Sequence, residues 1–109
     1  MEDLLSVFKA LSDENRYRII KLLLESDYCV KALSHSLGIS ESAISQHIKI
    51  LKNAKILTGR KKGYFMHYSV RKDVLKQAGV TIINLSETSK QPCGGVCSKS
   101  NCKGDDKNV

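Results

Sequence analysis

The sequence predicts a mainly α fold finished by a small β-hairpin, and three observations carry that expectation. Four stretches before residue 54 place apolar side chains at helical spacing. Gly38-Ile39-Ser40 interrupts two of them with a tight turn. Two runs rich in aromatic and β-branched residues then flank Lys61-Lys62-Gly63.

Residues 3–11 carry Leu4, Leu5, Val7, Phe8 and Leu11 as a helical stripe. Ser12 or Asp13 can cap the next helix, with Glu14 favourable in its first turn. That helix buries Ile19, Ile20, Leu23 and Leu24 and ends at Glu25-Ser26-Asp27. A short helix over about residues 30–37 is closed by Gly38, a residue suited to the left-handed cap. Ser40 starts a further helix, roughly 41–53, whose apolar face is Ile44, Ile48 and Leu51, with Ile50 on the shoulder. Residues 56–60 and 64–70 read as the strands of a hairpin with Arg60, Lys61 and Lys62 at its tip. Residues 71–77 read as a short helix broken by Gly79. Val80, Ile82, Ile83 and Leu85 then form an apolar run with no evident place in a monomer core, which is expected near a dimer interface. From residue 86 the chain is polar, with Pro92, three glycines and no large apolar residue except valines. The division expected is a folded unit over 1–85 and a cysteine-bearing tail without a fixed fold over 86–109.

A chain of 109 residues makes one small domain, and its 41% hydrophobic content can build a core but not a large buried active site. The net charge of +7 favours an acidic partner. Nine basic residues lie between Lys49 and Lys76 against the single acid Asp73, while the remainder is close to neutral. The positive charge is therefore a patch. The opening MEDLLSVFKALSDENR is acidic and broken by charges, and no apolar run approaches membrane-spanning length. The expectation is a cytoplasmic protein with no membrane partner, whose four cysteines stay thiols available for metal binding or redox sensing.

Opposite the apolar face of the 41–53 helix stand Ser42, Ser45, Gln46 and Lys49, spaced i, i+3, i+4, i+7. Short polar side chains, one amide and one cation along a helix suit base edges and phosphates in a major groove. A merely solvated face has the same composition. The preceding helix and tight turn decide between them, because helix-turn-helix geometry presents the second helix outward. A hairpin directly after such a helix is a wing, with Arg60, Lys61 and Lys62 placed to grip phosphates or enter a minor groove. The expected fold is a winged helix-turn-helix, and the expected partner is double-stranded DNA.

The ordered combination AlaLeuSerAspGluAsnArg (10–16), LeuGlyIleSerGluSerAlaIleSerGlnHisIleLysIleLeu (37–51) and MetHisTyrSerVal (66–70) resembles the ArsR/SmtB family of bacterial winged-helix repressors, over roughly residues 3–75. The resemblance implies a homodimer, joined through its first and last helices, that binds an inverted repeat and is released by an inducer metal. Two departures stand out. The last helix, read as ending at residue 77, is shorter than the family's, and His67 and Asp73 do not reproduce the Asp/His set of zinc-sensing relatives. Arsenic-sensing relatives carry CysValCys at the start of the third helix, whereas this chain has Cys29-Val30-Lys31, so only the first cysteine matches.

The missing sulfurs are expected from Cys93, Cys97 and Cys102, three thiols within ten residues. Soft thiolates select thiophilic ions, so As(III) is the expected inducer, with Sb(III), Cd(II), Pb(II) and Zn(II) as alternatives. Three sulfurs suit trigonal As(III); adding Cys29 would make the tetrahedral set that Cd(II) or Zn(II) prefers. Cys29 stands just ahead of a predicted helix start, where the dipole favours an anionic ligand. The alternative within regulators is a redox or sulfane-sulfur switch built from a pair of the tail cysteines. A different class, a small metal-binding protein with no specific DNA role, would lack salt-dependent, sequence-selective DNA binding. No organic cofactor and no catalysis are expected, since no nucleophile–base–orienter set, phosphate loop or paired-carboxylate pocket is visible. His47 reads as a packing or capping histidine, and neither His35 nor His67 has a partner set.

Overall fold

In the computed structural model, which describes residues 2–92, five helices and one antiparallel hairpin follow in the order α1 (Glu2–Leu11), α2 (Glu14–Glu25), α3 (Val30–Leu37), α4 (Glu41–Asn53), β1 (Leu57–Lys62), β2 (Phe65–Val70) and α5 (Lys72–Ser86). Of the four helices after the first, α2, α3 and α4 open on a side-chain cap and α5 does not. The Asp13 carboxylate accepts from the Arg16 N–H at 3.1 Å, the Cys29 sulfur from the Ala32 N–H at 3.4 Å, and the Ser40 hydroxyl from the Ala43 N–H at 3.1 Å. Gly38 closes α3 at φ 70°, the left-handed cap predicted for it. The Ser34 hydroxyl donates to the Ile39 carbonyl at 2.5 Å, bracing the turn that sets α4 against α3.

The core gathers Val7 of α1, Ile19, Ile20 and Leu23 of α2, Leu33 of α3, Ile44, Ile48 and Leu51 of α4, and Ile56 and Leu57 at the base of the hairpin. Burying each such side chain stabilises the fold by roughly 1.5–3 kcal/mol, an upper estimate set against an extended chain. Leu24, expected in this core, is instead exposed. The chain leaves α4 through Lys55 at φ 66°. Ile56 then donates to the Leu51 carbonyl at 3.0 Å and accepts from the Arg71 N–H at 2.7 Å. Those two bonds fasten the base of the wing to the end of α4 and the start of α5.

Two elements differ from the sequence expectation. β1 extends two residues past Arg60, so Lys61 and Lys62 lie in it, opposite Met66 and Phe65, and β2 begins at Phe65, one residue later than expected. The tip is Gly63-Tyr64, a two-residue loop with Gly63 at φ 61°, the left-handed value that a glycine supplies at the first central position of a hairpin turn. The second correction is larger. α5 runs unbroken through Gly79 to Ser86, giving a helix of 15 residues where residues 71–77 were expected, so the apparent shortness of the last helix disappears. An interior glycine costs only about 1 kcal/mol relative to alanine. Contact with α1 outweighs that cost, through the inward side of α5 formed by Val74, Leu75 and buried Ala78.

The space beside Gly79 is open, since a Cβ built there meets nothing within 4 Å. Gly79→Ala is therefore expected to stabilise the protein by about 0.5–1 kcal/mol, read as a raised denaturation midpoint. A lowered midpoint would mean that this position is in contact in the assembled protein.

Candidate nucleic-acid interface

Burial of Ile44, Ile48 and Leu51 fixes the rotation of α4, and the same rotation turns Ser42, Ser45, Gln46 and Lys49 outward, all of them exposed. These residues, with Glu41 at the helix start, line one open concave surface. A second, adjoining hollow is lined by Ser45, Lys49, Lys52 and Asn53 of α4 and by Tyr68 of β2. The polar stripe thus continues past Lys49 and meets the wing. Lys52, Asn53 and Tyr68 were missed in the sequence reading. The signal for the first two was present, because 52 and 53 are the next positions in the series 42, 45, 46, 49.

Gly59 permits this junction. A Cβ at that position would stand 3.3 Å from the Tyr68 ring, 3.4 Å from the Met66 methyl and 3.5 Å from the Lys52 ammonium. Side chains on a strand alternate between faces, so the contact assigns the faces of the whole hairpin. Gly59, Lys61, Met66 and Tyr68 lie on the side of α4, whereas Arg60, Lys62, Phe65 and His67 lie on the other. The three cations expected together at a tip are therefore split across the ribbon. Ion pairs among the described residues lie elsewhere, including Arg18 to Glu14 at 2.7 Å and Arg71 to Asp73 at 2.9 Å.

Behind α4, His47 does pack as expected. Its Nδ1 stands 3.3 Å from the Arg16 guanidinium and 4.0 Å from the Asp13 carboxylate, while Arg16 Nε donates to the Ala10 carbonyl at 2.7 Å. This cluster ties the end of α1 and the start of α2 to the outward-facing helix. The Arg16 backbone N–H holds the Asp13 carboxyl below the usual carboxylate range. The stabilisation is complete above the ordinary carboxylate pKa and is lost as acid protonates Asp13 through its lowered value. His35 is exposed, as expected of a helix surface. His67, read as having no partner, faces Asp27 at 3.8 Å between Nδ1 and Oδ2. That contact joins the wing to the segment immediately before α3.

Cys29 is half-buried at the head of α3. Cys93, Cys97 and Cys102 lie outside the described residues. Among the described residues no group of three His, Cys, Asp or Glu side chains could hold a metal ion, so Cys29 would need ligands from beyond them. No helix among the described residues is long and apolar enough to cross a membrane.

Comparison with known proteins agrees with this geometry. Residues 13–58 match the family described as "Bacterial regulatory protein, arsR family", a span that covers α2, the helix-turn-helix and the start of the wing. The chain is 37% identical over 73 residues to the transcriptional repressor SdpR of Bacillus subtilis, covering 67% of this chain and 81% of that protein. It is 30% identical over 109 residues to an arsenical resistance operon repressor of Escherichia coli, covering 96% of this chain and 93% of the relative. Among solved structures, an ArsR-like transcriptional regulator from Rhodococcus sp. RHA1 superposes with a TM-score of 0.71 at 29% identity, over 78% of this chain and 80% of that one. With an outward α4, a basic wing and a relative matched along nearly its whole length, the chain belongs to the ArsR family of bacterial regulatory proteins and is a winged helix-turn-helix regulator of transcription.

Proposed function

We propose that the protein is a cytoplasmic homodimeric repressor that holds an operator and releases it when As(III) or a similar thiophilic ion binds cysteine thiolates. The observation that carries the DNA half of this reading is the continuous polar surface from Ser42 along α4 to Lys52 and Tyr68 beneath the wing. Ser42, Ser45, Gln46 and Lys49 enter the major groove, and Arg60, Lys61 and Lys62 hold the backbone on either side of the ribbon. Family membership sets aside a metal-binding protein with no DNA role.

The dimer forms through α1 and α5, which pack together and leave Leu5, Val80, Ile82, Ile83 and Leu85 exposed. Apolar side chains gathered on two adjoining helices call for a partner. A two-fold dimer then presents both α4 helices to successive major grooves, about one DNA turn apart.

Cys93, Cys97 and Cys102 supply thiolates for the ion, with Cys29 as a further ligand. The similarity to an arsenical resistance operon repressor supports As(III) as the inducer. Cys29 caps the helix that packs on α4, so an ion drawn to its sulfur pulls on the helix-turn-helix. The neighbouring Asp27 contact to His67 extends the same segment to the wing. A coupling of roughly 1–3 kcal/mol would lower operator affinity about 5- to 150-fold.

Paired substitutions test the DNA surface. Gln46→Ala is expected to relax base preference at one position of each half-site, at a cost of about 1–3 kcal/mol. Lys61→Ala should weaken all duplexes alike and make the logarithmic salt slope shallower by about one. If Gln46→Ala leaves sequence preference intact, α4 is not the reading helix.

A further inference from the structure

The hairpin ends on two bare aromatic rings. Tyr64 is 99% exposed and Phe65 63% exposed, with Met66 next to them also exposed. Tyr64 occupies the second position of the tip loop, and Phe65 sits across the ribbon from Lys62. No core residue needs these rings, yet they form the furthest projection of an element whose flanks are cationic on both faces. Lys61 lies on the α4 side, Arg60 and Lys62 on the other. Such a ribbon repels a basic partner; its cations can reach the two phosphate walls of a groove while only the apolar tip points at the floor between them. A DNA minor groove has that chemistry: anionic walls, base edges and stackable faces within.

We propose that Tyr64, backed by Phe65, is an aromatic wedge that enters the minor groove flanking each half-site and partly unstacks a base step there. The inference rests on the DNA-binding reading above and adds to it a source of selectivity at bases that α4 does not touch. Pyrimidine–purine steps such as TA and CA unstack most easily, whereas A-tracts are stiff. The wing therefore reads the flank through its deformability, independently of the hydrogen bonds made in the major groove.

The test uses the full-length reduced protein and duplexes of about 30 bp, long enough for two half-sites, enriched by the wild type from a randomised pool. Two versions differ only at the flank, one with a TA step and one with an A-tract, and a 2-aminopurine beside the step reports unstacking. The wild type is expected to prefer the TA flank and to raise the 2-aminopurine fluorescence. Tyr64→Ala is expected to weaken the TA duplex roughly tenfold, to leave the A-tract duplex nearly unchanged and to abolish the fluorescence rise. Because Tyr64 is wholly exposed, circular dichroism of the variant should match the wild type. Wild-type flank preference and fluorescence in Tyr64→Ala would overturn the wedge while leaving the DNA reading intact. An equal loss on both duplexes would also overturn it, making Tyr64 a plain backbone contact. A change in the oligomeric state of the free variant would assign the tip to a protein contact instead. Enrichment of no duplex by the wild type would bring down the DNA reading and the wedge together.

Discussion

Replacing Leu5 and Ile83 together by aspartate is expected to convert the protein to a monomer and to lower operator affinity by at least about a hundredfold, the loss that follows when two linked half-site contacts become independent. Both side chains are exposed in the single chain, at 67% and 55%, so neither supports the core. Ala78 and Leu75, about one and two turns earlier in α5, do that instead. Carboxylates at these positions cost less than about 1 kcal/mol each in a solvated monomer, yet each would be buried without a partner in an α1–α5 interface, at several kcal/mol apiece. Sedimentation equilibrium reads the assembly and fluorescence anisotropy reads the affinity. A double variant that remains dimeric and binds like the wild type would place the interface elsewhere.

The second large effect concerns the thiols. The Cys93/Cys97/Cys102→Ser triple variant is expected to bind operator as the wild type does and to be insensitive to As(III), removing the whole 5- to 150-fold release expected of the inducer. Serine keeps the shape of each side chain and replaces the soft sulfur with a hard oxygen. Cys29→Ser divides two roles that coincide at one sulfur. Serine is a strongly preferred helix cap, so the bond now made to the Ala32 N–H survives the exchange and stability holds or rises. A loss of As(III) response in that variant is therefore a loss of ligand, not of fold. Replacement of each cysteine alone separates a metal site from a redox switch. Every ligand matters to an ion, whereas a disulfide needs only its own pair.

Much of this was legible in the residues. Asp13, Cys29 and Ser40 sit where a helix start needs a side-chain acceptor, and Gly38 where a helix end needs positive φ. Ile44, Ile48 and Leu51 determine which face α4 buries, and hence which it shows. In sequence the charges of Lys61 and Lys62 suggest a loop and end β1 two residues early, whereas the turn is placed by the conformation of Gly63. The local signal in α5 was misleading. Gly79 and the β-branched stretch after it disfavour helix, and packing on α1, a contact between opposite ends of the chain, outweighs them. Pairing of Asp27 with His67 has the same origin, since forty residues of sequence separation leave no periodic trace. The outward polar stripe of α4 is legible from Ser42 to Lys49, and the surface it forms continues a turn further, to Lys52 and to Tyr68.

The most direct measurement is the anisotropy of labelled operator held by the reduced wild-type protein while As(III), Cd(II), Zn(II) and an oxidant are titrated in parallel. Release by As(III) with all thiols reduced, reversed by a competing dithiol, is the result expected of a thiolate-gated repressor. Release by the oxidant alone, or operator binding that no ion disturbs, would contradict it.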